Sequence, residues 1–131
     1  MSGSARRAVV PQGVAAAAAK WKYSPGLVAG DLVFVAGQVG RDASGRIPED
    51  PEEQFVTAFE NVGAILSGAS AGFEHVVDLT TFHTTFDAFE VFAEVKERYF
   101  SKEPYPAWTA IGDVALALPG LIVEVKVIAR L

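Results

Sequence analysis

Glu124 is the residue whose neighbours most suggest chemistry. In Leu121-Ile122-Val123-Glu124-Val125-Lys126-Val127-Ile128-Ala129 the β-branched residues predict a strand. Alternation puts Leu121, Val123, Val125 and Val127 on one face and Ile122, Glu124, Lys126 and Ile128 on the other. A carboxyl held among apolar side chains is pushed toward its neutral form, which suits it to give or take a proton, or to orient a water. The same spacing also suits a plain surface ion pair of Glu124 with Lys126 or across the sheet, and the residues leave both readings open.

Other groups are weaker candidates. His83, in Thr80-Thr81-Phe82-His83-Thr84-Thr85, is an imidazole flanked by hydroxyls, fit either for proton transfer or for a hydrogen-bonded place in the fold. His75 lies in the loop before that strand. With no cysteine and no HExxH or EF-hand pattern, the two histidines do not make a metal site, so neither a metal nor a cofactor is expected. Tyr23-Ser24-Pro25 and Gly37-Gln38 bracket a hairpin and bring a phenol near bare glycine backbone. Trp108, after Pro106-Ala107, is core filler or the flat wall of a pocket. Gly37-Gln38-Val39-Gly40 is not a phosphate loop, and no Gly-x-Ser-x-Gly elbow occurs.

The elements that must position these groups follow from periodicity and punctuation. Residues 1 to about 22 read as a flexible arm, with Ala15 to Ala19 able to form a turn or two of helix. Leu27-Val28, a Gly30-Asp31 turn and Leu32 to Ala36 make a hairpin. Asp50-Pro51-Glu52-Glu53 starts a helix: Asp50 caps, Pro51 is pre-set for the first turn and Glu53 can bond back to the cap. Phe55, Phe59, Val62, Ile65/Leu66 and Ala69 form its apolar stripe, and Gly68 or Gly72 ends it. Val76 to Thr84 alternates as a strand, with Leu79, Thr81 and His83 sharing a face with Val77. Asp87-x-x-Glu90 opens a second long helix through Phe89, Phe92, Val95 and Tyr99. Ala107 to Val114 is extended, Pro119-Gly120 turns, and the Glu124 strand closes the chain. Two helices and at least five strands at this length predict an α+β fold, a mixed sheet with both helices on one face and the other face in need of a partner.

Composition narrows the function. The chain has 131 residues, half of them hydrophobic, enough for one domain with apolar surface to spare, so a homo-oligomer is expected. A net charge of −5 is the wrong sign for a phosphate backbone, so no nucleic-acid partner is expected. No segment is long and apolar enough to span a membrane, and no signal-peptide core forms, so the expected place is the cytoplasm.

The ordered blocks Tyr23-Ser24-Pro25, Gly30 to Gly40, Gln54, Phe59-Glu60-Asn61-Val62, Pro106-Ala107 and Val123-Glu124-Val125 resemble the RidA/YjgF family over residues 23–131. The resemblance implies a chorismate-mutase-like fold and a homotrimer with small-molecule clefts between subunits. Of the site constellation it implies, Tyr23 and Glu124 remain. The active branch hydrolyses imines and enamines such as 2-aminoacrylate, and an arginine after Pro-Ala grips the substrate carboxylate. Here that position is Trp108, a serine usual before Gly-Gln is Ala36, and an asparagine of the second helix is Ala93. An indole cannot make an arginine's bidentate grip. Thr81-Phe82-His83-Thr84, Pro104-Tyr105-Pro106, Trp108 to Gly112 and Glu124 to Arg130 look like the YjgH-like branch.

The expectation is therefore a trimer that binds a small metabolite in an intersubunit cleft lined by Trp108, Gly37, Ala36, Thr109 and His83, with Arg41 as a substitute anchor. An alternative is a hydrolase or deaminase of non-carboxylate imines using Glu124 and Tyr23. A third is the ribonuclease or translation inhibitor of some relatives' labels.

Overall fold

The computed structural model describes residues 5–131. Its elements in chain order are β1 (Arg6–Val9), α1 (Ala15–Trp21), β2 (Gly26–Ala29), β3 (Leu32–Val39), α2 (Pro51–Gly68), β4 (Val76–His83), α3 (Phe89–Tyr99), β5 (Ala107–Ile111) and β6 (Val123–Arg130). The strands form one mixed sheet in the order β1-β2-β3-β6-β4-β5, antiparallel throughout except for the parallel β4–β5 pair. The α+β reading of the sequence holds.

The hairpin forms where the breakers place it, with Gly30 at φ +62°, a left-handed conformation that glycine adopts freely. The expected flexible arm is different. Beyond residues 1–4, which lie outside the described residues, it supplies β1 and α1. Val9 is buried, opposite Gly26 of β2 and close to Gly68 of α2, which explains the order: both positions lack a side chain where Val9 must fit.

Helix α2 begins as its sequence predicts, with Asp50 Oδ2 accepting the Glu53 N–H at 3.0 Å and Pro51 in the first turn. Glu53 does not return to the cap; its carboxylate pairs with Arg46 at 2.8 Å. Helix α3 starts at Phe89 behind Ala88, with no side-chain cap. Asp87 is instead drawn into a preceding turn, its N–H held by Thr85 Oγ1. Strand β5 stops at Ile111, short of Val114, because Asp113 takes φ +57° and turns the chain. Strand β6 begins at Val123, because the Ile122 N–H is taken by a side chain, as follows.

Helices α2 and α3 cover one face. Phe55, Phe59 and Phe92 are fully buried there, and Phe92 lies 5.1 Å edge-on from Phe55 and 5.6 Å stacked from Phe59. Val33, Val35, Leu79, Val123, Val125 and Val127 meet them from the sheet. Gln54 staples the periphery of this layer. Its Nε2 donates to the carbonyls of Pro48 and Gly120, both at 3.0 Å, and its Oε1 accepts the Ile122 N–H at 2.6 Å. Asn61 donates to the carbonyls of Val39 and Arg41. No described helix is long and apolar enough to cross a membrane.

Candidate functional site

Strand register decides which candidates meet. On the open face, one row across the sheet reads Ile111, Phe82, Glu124, Val39, and the next reads Thr109, Thr80, Lys126. On the helix-covered face the rows are Trp108, Leu79, Val127, Val35 and Ala110, Thr81, Val125, Gln38. Glu124 and Thr109 thus share the open face. Trp108 and His83 lie on the other side.

Glu124 is half-buried, and its carboxylate rests on Gly37. A Cβ at Gly37 would fall 2.5 Å from Oε2, so only glycine lets the side chain lie there. Strand β3 makes this approach through a bulge. Val35 faces Val127 and Gln38 faces Val125, so β3 carries one residue more than β6 between those pairs. Burial alone pushes the Glu124 carboxyl above its ordinary value; no cation or donor among the described residues offsets it. The ion pair with Lys126 that the spacing allows does not form.

Tyr23 lies two residues before Pro25, which meets the same bulge. The Ala36 N–H donates to the Pro25 carbonyl at 2.8 Å, which ties the segment before β2 to the bulge, and the Tyr23 phenol is exposed. Ala36 and Gly37 are half-buried. Tyr23, Ala36, Gly37 and Glu124 therefore occupy neighbouring backbone, while Thr109 stands on β5, two strands from β6.

The expected cleft wall at Trp108 is not found beside Glu124. Its indole stacks on Phe89 at 5.7 Å and 10°, carries the Lys96 ammonium 4.4 Å above it, and donates through Nε1 to Thr81 Oγ1 at 3.0 Å. The cause is alternation on β5: Trp108 pairs with Leu79, a fully buried core residue, so it must face the helices. His83 is 2 % exposed, with Nε2 2.8 Å from the same Thr81 hydroxyl and rings of Phe86, Phe89 and Phe92 around it. The Thr81 hydroxyl accepts from the indole and keeps its own hydrogen for Nε2, which suits a neutral ring, and burial lowers the imidazole pKa. It is a satisfied core group. His75 accepts the Gly72 N–H and shapes a turn.

Arg41 does not reach the carboxylate either. Its Nε donates to the Gly45 carbonyl at 3.1 Å, bracing the loop after β3, and it borders a small cavity of about 160 Å³ with Gln38 and Asn61. Ala93 is exposed on α3. The sequence reading missed two things: the Lys96–Trp108–Phe89 stack, and the bulge that makes room for Glu124. The glycine before Gln38 was the visible signal of the bulge. The stack follows only once β5 is known to run parallel to β4.

Similarity to known proteins agrees with this architecture. The family model described as Endoribonuclease L-PSP matches residues 13–131, ten residues more than the span read from sequence motifs. The chain is 42% identical over 127 residues to RutC family protein YjgH of Escherichia coli, covering 96% of this chain and 95% of that one. A solved structure described as protein YJGH superposes with a TM-score of 0.84 over 96% of both chains, also at 42% identity. A bovine (Bos taurus) protein named 2-iminobutanoate/2-iminopropanoate deaminase is 33% identical, covering 87% of this chain and 83% of that one.

Proposed function

The chain belongs to the Endoribonuclease L-PSP family, the RidA/YjgF family, and on that premise we propose that it hydrolyses a small imine or enamine at Glu124, in a cleft completed by a second copy of itself. The observation that carries the reading is the unpaired, half-buried Glu124 carboxylate lying on Gly37. The bovine relative's name supports the reaction class.

In the reaction, water adds to the C=N carbon while Glu124 takes one of its protons and passes it to nitrogen, giving a carbinolamine. Glu124 then takes the hydroxyl proton and delivers it to the same nitrogen, so the C–N bond breaks, ammonia leaves, and a carbonyl product remains. A carboxylate with no cation beside it favours a neutral imine or a cationic iminium over an acid. With Trp108 turned to the helices and Arg41 engaged at Gly45, no guanidinium among the described residues pairs with Glu124. The substrate class is therefore an imine without a carboxylate, such as one formed from a simple amine.

The open face supports assembly. Phe34 and Ile111 are 38% and 39% exposed, Phe82 and Ile128 lie half-buried between them and Leu27 half-buried beside Phe34, a surface that a partner copy would cover. A homotrimer on this face would desolvate Glu124 further and close the cleft. Sedimentation as a monomer would remove that support. The family's endoribonuclease label does not carry over, because the net charge of −5 opposes a phosphate backbone.

The test is semicarbazide competition against imines generated by an amine oxidase and, separately, by an amino-acid oxidase. Faster loss of the amine-derived imine with wild type, abolished in Glu124→Gln, is the expected result. No acceleration of either imine, together with ligand binding, would make the chain a non-catalytic binding protein.

A further inference from the structure

We propose that Gln38 is the positioning residue for Glu124: its side-chain amide fixes the β3 bulge on which the carboxylate rests. The inference rests on Glu124 as the proton-transfer group and names what holds it in place.

The geometry is two-sided. On the open face Gly37 presents bare backbone to Glu124 Oε2. On the helix face Gln38, only 7% exposed, folds its amide back along its own strand, and Nε2 donates to the carbonyls of Ala36 at 3.0 Å and Gly37 at 3.4 Å. Both acceptors are carbonyls, so only the amide nitrogen can point at them. One side chain thereby holds the two peptide groups that make the bulge. Such a bulge leaves ladder groups unpaired, and buried carbonyls without partners are costly, so something must replace the missing ladder bonds.

These bonds act together with the Ala36 N–H bond to the Pro25 carbonyl, which ties the other edge of the bulge to the segment before β2. Without the amide bonds the Ala36 and Gly37 carbonyls lose their side-chain partner, the backbone of residues 36–38 is free to shift, and Gly37 draws away from the carboxylate. Water then reaches Glu124, and its titration moves down toward an ordinary carboxylate.

The experiment is a carbon-13 NMR titration of the Glu124 carboxyl in wild type, Gln38→Met, Gln38→Leu and Val95→Ala, with folding checked by the dispersed amide spectrum. Met keeps the length of glutamine without the donors, and Leu removes them with a shorter apolar side chain, so neither adds a charge near Glu124. A downward shift in both Gln38 variants is expected, whereas Val95→Ala, a core truncation far from the bulge, lowers the unfolding midpoint and leaves the titration in place. An unchanged Glu124 titration in a folded Gln38 variant would overturn the assignment, as would failure of both variants to fold, which would make Gln38 a requirement of the whole fold. Because the titration needs no turnover, it separates this inference from the proposed reaction. A chain inactive on every imine could still show the shift, and an active one could lack it.

Discussion

Two polar clusters stand on opposite faces of the sheet, one on β4 and β5 and the other on β3 and β6, and they obey opposite rules. On the helix side, Thr81 receives the Trp108 indole N–H and meets His83 Nε2, within a shell of phenylalanines that excludes water. On the open side, Glu124 lies on Gly37 with no partner among the described residues. The first cluster is deeply buried and satisfied, which is how a fold tolerates polarity in its core. The second is half-buried with no protein partner, a placement that costs stability and is retained where reactivity is needed. Burial alone would have ranked His83 above Glu124 as a functional group. Satisfaction reverses the order.

The comparison can be broken most forcefully through activity. Glu124→Gln should lower imine hydrolysis by roughly 10²–10⁴-fold, the usual worth of a general acid-base group, while the urea midpoint stays level or rises. A variant that loses stability instead would move Glu124 to the structural side. Phe92→Ala should cost about 3–5 kcal/mol in urea unfolding, because it empties the centre of the aromatic layer, and should leave the Glu124 titration where it was. Thr81→Val should cost about 1–3 kcal/mol by stranding a buried indole N–H and the imidazole nitrogen, again without touching Glu124.

The smallest effect is the most discriminating, because the two groups bend stability in opposite directions. His83 has a lowered folded pKa, so its contribution is present above the unfolded value near 6.5 and is lost as pH falls through the folded value. Glu124 has a raised folded pKa, so its contribution is present below about 4.5 and is lost as pH rises through the folded value. Unfolding measured across that range should therefore show Glu124→Gln gaining on wild type as pH rises. The reverse trend would place a cation beside Glu124.

The sequence made much of this visible. Asp50-Pro51 marked the start of α2, Gly30-Asp31 marked the hairpin, and alternation on β6 separated Val123, Val125 and Val127 from Glu124 before any register was known. Long-range geometry was hidden. Nothing local says that Leu79 is the neighbour of Trp108, and that single pairing sends the indole to the helices. Nothing local orders residues 6–9 either, because β1 is held by β2 and by the space over Gly68 rather than by its own propensity. Ile122 was expected beside Glu124 on the open face, yet it packs against the core once Gln54 takes its N–H.

The Gln54 amide joins the Pro48 carbonyl, the Gly120 carbonyl and the Ile122 N–H, groups that belong to loops about half the chain apart in sequence. Local opening of one loop strips the shared amide of its partners in the other, so neither can fray alone. In hydrogen-exchange terms the two loops form a single cooperative unit, and the Ile122 amide should exchange at the rate at which the loop before α2 lifts off. A residue named in the sequence only as part of a motif thus sets the size of the smallest piece of this end of the molecule that can open.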